Sequence, residues 1–149
     1  MNDDPRAIYL DEFLPHPPEK VWRALTEPDL IARWLMPNDF KLQLGHKFTF
    51  HGFPMPAAGF GGTGHSEVLE FEAEKMLRIA WRAAPEDASS LDSTVTFTLE
   101  PEGRGTRLFL AHEGFDPGDP YQAASRRIMN DGWRGIPAQI SKVIDASPA

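Results

Sequence analysis

PPEKVWRALTEP, residues 17–28, combines two proline-initiated helix starts with a short apolar pattern. Proline is tolerated in the first turn of a helix because the N–H that it lacks would be unpaired there. We therefore predict that one short helix begins at Pro18 and buries its apolar face. A second short helix follows, with Thr26 as its cap and Pro28 in its first turn. It ends before Pro37, since the residue preceding a proline is disfavoured in the α region.

The segments on either side of these helices have the patterns of β-strands. Residues 7–14 alternate between apolar and polar positions, which is typical of a strand with one solvent-facing side. Five more strands are predicted at residues 47–53, 65–72, 76–83, 91–100 and 105–113. Short turns connect the last four, and strands joined in this way form an antiparallel meander.

A long helix is predicted at the C-terminal end. Asp119 is its expected cap, Pro120 its first helical residue, and apolar side chains follow helical spacing over residues 121–144. Because two glycines and Pro137 disfavour an uninterrupted helix, we expect a kink or a short break between about residues 131 and 137. The order of elements predicts an α+β fold in which a curved antiparallel sheet wraps around this last helix, with two short helices after the first strand.

The size and composition of the chain exclude several classes of function. Its 149 residues predict a single domain over residues 1–149, with residues 1–5 disordered. Cysteine is absent, which excludes disulfides and thiol nucleophiles. A formal net charge of −7 argues against a nucleic-acid partner, since phosphate binding needs a basic face. No membrane span or signal peptide is recognisable, so a cytoplasmic location is expected. The protein is expected to be a monomer or a homodimer.

Several segments in a fixed order resemble one protein superfamily. They are residues 18–28 with Trp34, residues 64–68, Leu77 with Trp81, residues 105–115, and Gly132 with Trp133. Together they resemble the helix-grip superfamily of START and Bet v 1 domains, known as SRPBCC, in the branch similar to the C-terminal domain of the activator of the heat-shock-protein-90 ATPase. The resemblance implies a helix-grip fold, and it leaves the function open because relatives use one shared cavity for many ligands.

The chain departs from the family pattern at two places. Many relatives have Asp-x-Arg-x-Gly-Gly before the third strand, whereas residues 41–46 read KLQLGH here, so any charged pair made there is missing. Pro137 occupies a position where relatives usually have leucine. Because a helix bent at Pro137 would change the floor of the cavity, the ligand preferences of relatives are not transferred to this chain.

We expect the ligand cavity to lie between the sheet and the last helix, and strand parity selects the side chains that face it. The expected cavity residues are Trp34, Phe48, Phe50, Trp81, Phe97, Leu108, Leu110, His112, Tyr121, Ile128 and Trp133. Among them, His112 and Tyr121 would supply polar contacts. Residues 54–64 form a glycine-rich loop, in which Met55 and Phe60 are the expected lid over the cavity.

His112 is the histidine best placed for acid–base chemistry, since its parity points it at the concave face near the cavity mouth. The alternative is a structural histidine bonded to the backbone. His46, His51 and His65 do not complete a metal site, because at most two of them can face each other. No catalytic residue, metal or cofactor is therefore predicted.

Three functions are open. The leading hypothesis is the binding of a small hydrophobic or amphipathic ligand in the cavity. The second is a protein-interaction module that acts on a chaperone or another protein, as the resemblance to the ATPase activator implies. The third is a cavity-based enzyme, a cyclase or hydrolase with His112 as acid or base. It is placed last because no nucleophile–base pair is recognisable in the sequence.

Overall fold

Six strands and three α-helices make up the protein in a computed structural model that describes residues 4–147. Residues 1–3 and 148–149 lie outside the described residues, as does most of the segment expected to be disordered. The elements in chain order are β1 (Ala7–Leu14), α1 (Pro18–Thr26), α2 (Pro28–Trp34), β2 (Lys47–His51), a short 3₁₀ helix (Pro56–Ala58), β3 (Thr63–Glu72), β4 (Met76–Arg82), β5 (Asp92–Glu102), β6 (Gly105–Glu113) and α3 (Pro120–Ala146).

The six strands form one antiparallel sheet in the order β1-β6-β5-β4-β3-β2. Strands β3 to β6 are the predicted meander, and β2 extends it by pairing with β3. Strand β1 joins the far edge by pairing with β6, where Leu10 lies opposite Leu110. The two edge strands are therefore β1 and β2. This sheet with a long C-terminal helix confirms the predicted α+β, helix-grip fold.

Helix α3 packs against the inner face of the sheet through large side chains. Trp133 is buried, with its ring centroid 5.7 Å from that of Trp81 and 6.1 Å from that of Phe97. The short helices add Trp34, whose ring meets Phe97 edge-on at a centroid distance of 6.1 Å. Aromatic pairs at such distances stabilise a core beyond the area that they bury. One hydrophobic core therefore joins all three helices to the sheet.

Helix α3 is continuous through Pro137, so it has no break between residues 131 and 137. Trp133 before the proline and Ile140 after it are both buried. Burial of one large apolar side chain stabilises by roughly 1.5–3 kcal/mol, so two of them offset the ~3 kcal/mol that an internal proline costs. Tertiary packing thus holds together a helix that its local sequence disfavours.

The helix caps agree with the sequence at one position and differ at another. The Asp119 carboxylate accepts a hydrogen bond from the backbone N–H of Tyr121 at 2.8 Å, as expected of the cap of α3. Thr26 does not cap α2. It is the last residue of α1, and its hydroxyl donates to the carbonyl of Trp22 at 2.7 Å, one turn back.

Within residues 4–147, no helix has the length and apolarity needed to cross a bilayer.

Candidate functional site

A cavity of about 650 Å³ lies at one end of the interface between α3 and the sheet. Ligand pockets in proteins measure roughly 300–1,000 Å³, so this cavity can hold a small organic molecule. Its lining is mostly apolar and comprises Leu35, Met36, Pro37, His51, Gly52, Phe53, Met55, Ala58, Phe60, Gly64, Trp81, Arg82, Ala83, Asp87, Ser89, Leu91, Ser125, Ile128 and Met129. These residues belong to the segment that follows α2, the adjoining ends of β2, β3 and β4, the β2–β3 and β4–β5 loops, and the first half of α3.

Part of the predicted site lines this cavity. Trp81 and Ile128 were expected as cavity residues and Met55 and Phe60 as a lid, and all four are in the lining. Tyr121 is not. It lies against the backbone of Gly59, under the same loop. The β2–β3 loop of residues 52–62 therefore covers the cavity from one side, and we call it the lid loop.

The other predicted cavity residues lie in the packed core. They are Trp34, Phe48, Phe50, Phe97, Leu108, Leu110, His112 and Trp133, and all are buried. The void among Trp34, Phe97 and Trp133 measures about 10 Å³, which is close to the smallest space that holds one water molecule. Parity pointed these side chains at α3, but their rings and branches fill the gap that a ligand would need. The cavity therefore lies to one side of the predicted place.

His112 is a core residue, not one at the cavity mouth. The indole N–H of Trp133 donates to His112 Nδ1 at 3.0 Å, and His112 Nε2 lies 2.8 Å from Ser93 Oγ. Because an indole can only donate, Nδ1 accepts and the imidazole proton sits on Nε2, which donates to Ser93. The Ser93 hydroxyl in turn donates to the carbonyl of Trp81 at 2.7 Å. Burial lowers the pKa of His112 to about 3.

This arrangement bears on the enzyme hypothesis. The sequence suggested no nucleophile for His112, and the structure places Ser93 beside it, because β5 and β6 bring residues 19 positions apart into contact. The hydroxyl proton of Ser93 is directed at a backbone carbonyl, and the histidine donates to the serine. A serine nucleophile requires the opposite polarity, with the histidine accepting that proton. The Ser93–His112 pair joins β5 to β6, and the hydrogen bond from Trp133 to His112 links it to α3 as a structural bridge.

A second serine–histidine contact lies near the C-terminal end of α3. His16 Nε2 is 2.9 Å from Ser141 Oγ and 3.7 Å from a carboxylate oxygen of Asp145. A catalytic triad needs serine and carboxylate on different ring nitrogens, whereas both contacts here meet Nε2. Among residues 4–147, no three side chains of the kinds that bind metals come together.

The charged groups in the cavity lining already have partners. Arg82 donates from Nε to Asp92 and from Nη1 to Glu67, both at 3.1 Å, and these bonds raise the pKa of Arg82. The two carboxylate oxygens of Asp87 accept from the backbone N–H groups of Gly61 and Ala84, each at 3.0 Å. Asp87 thereby ties the lid loop to the β4–β5 loop. The contacts of Arg82 with Glu67 and of Asp87 with Gly61 were not recognisable from spacing, since these partners are 15 and 26 residues apart in the sequence.

Gly59 fixes how closely the lid loop approaches the rest of the protein. Its φ is +65°, and a Cβ built there would lie 2.7 Å from Ser89 N and 2.9 Å from the ring of Tyr121. Gly103 has a similar φ of +58° but nothing within 4 Å of a built Cβ. Both positions require a left-handed backbone, and only at Gly59 would a side chain also collide with neighbouring atoms.

We expect Gly59→Ala to lower the free energy of unfolding more than Gly103→Ala does. Each should cost about 1–2 kcal/mol for the left-handed backbone, and overpacking should add about 1–3 kcal/mol at Gly59. Urea denaturation measures this difference, and hydrogen exchange of the lid-loop amides locates it. Equal losses for both variants would show that the lid loop does not pack against Ser89 and Tyr121.

The chain is similar to a family and to several solved structures. The family model described as "Activator of Hsp90 ATPase homolog 1-like protein" matches residues 15–145. A crystal structure from Mesorhizobium loti is 36% identical, with a TM-score of 0.83, and the match covers 97% of this chain and 100% of that one. A crystal structure from Nitrosomonas europaea is 24% identical, with a TM-score of 0.75 and 97% of both chains covered. No curated protein matches the chain.

Proposed function

The chain belongs to the activator of Hsp90 ATPase homolog 1-like family, and we propose that it binds a small hydrophobic or amphipathic molecule within this fold. The membership confirms the family predicted from the sequence. The single observation that carries the proposal is the cavity of about 650 Å³ under the lid loop. A mostly apolar, concave site with a few polar groups is the usual form of a small-molecule site.

The apolar wall on α3 is the part of the cavity best suited to a test. Ser125, Ile128 and Met129 share one helix face, because residues three and four apart lie side by side on a helix. Ile128 is 39% exposed, so a charge placed there can reach solvent without disrupting the core. Leu69 is a matched control, since it is 37% exposed and does not line the cavity.

We expect Ile128→Glu to weaken the binding of a neutral apolar dye, N-phenyl-naphthylamine, by about 10-fold. A bound dye would displace water from the new carboxylate without offering it a partner, which is costly. Leu69→Glu should leave dye binding unchanged. Dye fluorescence measures affinity, and thermal unfolding with native mass spectrometry checks that both variants remain folded. Equal affinity of the dye for Ile128→Glu and the unmodified protein would count against ligand binding in this cavity.

A protein-interaction module is a second candidate, because apolar side chains remain exposed beside the cavity. Phe53, Met55 and Ile128 are 86%, 38% and 39% exposed, respectively, and all three line the cavity. Exposed apolar patches often mark interaction sites. A chaperone ATPase is the partner that the family description suggests. Stimulation of its turnover by this protein supports the candidate, and no stimulation at micromolar concentration excludes the chaperone ATPase as the partner.

A further inference from the structure

Ser125 places an unpartnered hydroxyl in the cavity. It is 8% exposed and lines the cavity on the same helix face as Ile128 and Met129. A serine or threonine in a helix commonly bonds to the carbonyl four residues back, as Thr26 at the end of α1 and Ser147 just after α3 do here. Ser125 makes no such bond. Within residues 4–147, Ser66 Oγ is the one side-chain polar atom sealed from solvent without a partner, so the Ser125 hydroxyl faces the open space of the cavity. A water molecule or a ligand in the cavity can therefore complete its hydrogen bonding.

Ser89 supplies a second hydroxyl to the same cavity. It is buried, and its Oγ accepts from the backbone N–H of Leu91 at 3.2 Å. That bond occupies an acceptor site and leaves the hydroxyl proton without an acceptor in the described part of the chain. The backbone N–H of Ser89 donates to the carbonyl of Gly59 at 3.2 Å, which fixes this residue against the lid loop. The cavity therefore presents two hydroxyl groups, on Ser125 and Ser89, whose protons have no acceptor in the described part of the chain.

The charges of the lining do not favour an ionic ligand. Arg82 is paired with Glu67 and Asp92, and Asp87 is bonded to two backbone N–H groups. His51 is exposed, with its Nε2 3.1 Å from Thr49 Oγ1. A ligand carboxylate would lose its water in this cavity without gaining an unpaired cation, which is costly. A neutral acceptor costs less to remove from water than a carboxylate does, and it matches the two hydroxyl donors.

We propose that the ligand is uncharged and carries a hydrogen-bond acceptor, such as a ketone or ester carbonyl, which Ser125 and Ser89 recognise at the end of an otherwise apolar body. The proposal rests on the proposed function and adds the ligand's chemical class. The apolar wall supplies the area for the body, and the two hydroxyls select the acceptor. Ser125 and Ser89 are thus specificity-determining residues of the cavity.

The test uses two dyes that differ in one group. Prodan is a neutral dimethylamino-naphthalene with a ketone, and dimethylamino-naphthalene is the same scaffold without the ketone. Ser125→Ala should weaken Prodan binding by about 3- to 10-fold, the value of one neutral hydrogen bond, and leave the ketone-free dye unchanged. Ser90→Ala is the matched control, because Ser90 is exposed and does not line the cavity. It should affect neither dye.

The remaining outcomes separate this inference from the proposed function. If Ser125→Ala weakens both dyes equally, or neither dye, the hydroxyl does not select an acceptor and the inference fails while ligand binding stands. If ionised naphthoic acid competes with Prodan at comparable affinity, the uncharged class is overturned. If neither dye binds the unmodified protein, the proposed function fails and the inference fails with it.

Discussion

Leu110→Gln is expected to lower the free energy of unfolding by about 3–5 kcal/mol. Leu110 is 2% exposed on β6, opposite Phe97 of β5, and it does not line the cavity. The variant loses the burial of a leucine side chain, roughly 1.5–3 kcal/mol, and buries an amide without a partner at a further ~1–3 kcal/mol. Thermal unfolding should show a midpoint lowered by roughly 10–15 °C.

Leu44→Gln is the control for this result. Leu44 is 63% exposed, so the same substitution there should change the midpoint by little. A cavity wall at Leu110 would give a different outcome, since glutamine facing a cavity would reduce ligand binding and leave the fold stable. A stable Leu110→Gln variant would therefore contradict the packed core that the structure places around β5 and β6.

Lowering the pH from 7.5 to 5.0 is expected to reduce stability by about 2 kcal/mol through His112 alone. Burial lowers the pKa of His112 to about 3 in the folded protein, against about 6.5 in an unfolded chain. Below pH 6.5 the unfolded chain takes up a proton that the folded protein does not, so the unfolded state is favoured as the pH falls. The slope approaches 1.36 kcal/mol per pH unit. Urea denaturation across this range measures it.

Two controls assign this slope to His112. His112→Gln should be less stable at every pH but should lose most of the slope, whereas His51→Gln, at an exposed position, should retain it. NMR of the unmodified protein gives an independent readout, because the His112 imidazole signals should stay constant between pH 7.5 and 5.0. Titration of His112 with a midpoint near 6.5 would overturn the neutral bridge to Trp133 and Ser93.

The fold was predictable because the local signals in the sequence, namely helix starts, a helix cap and strand alternation, agree with the tertiary structure. Pro18 and Pro28 begin helices where a missing N–H is harmless, and Asp119 caps α3 with its carboxylate. Alternating apolar residues gave the strands and their inner faces. A kink or a short break was expected near Pro137, and the helix has no break there, since burial of side chains on both sides outweighs the local cost. Helix propensity alone could not show whether the free energy of side-chain burial exceeds the cost of an internal proline.

The candidate site was predictable only in part, because parity gives the direction of a side chain and not the space in front of it. Phe50 and Trp81 both face inward, and their rings stack at a centroid distance of 5.1 Å, yet only Trp81 also borders the cavity. Ser125 and Ser89 were not recognised at all. Their role as candidates depends on hydrogen bonds that neighbouring groups leave unmade, which no spacing in the sequence encodes.

The sequence by itself determined the order of elements, the antiparallel meander, the face of each strand that is buried and the family. These properties follow from short-range effects: proline geometry, helix capping and a periodicity of two or 3.6 residues. Only the tertiary structure decided that the middle of the helix–sheet interface is filled, that the cavity lies under the lid loop, and that His112 is a neutral bridge. Those outcomes depend on how side chains from β4, β5, β6 and α3 share one volume, a sum over contacts between residues far apart in the chain.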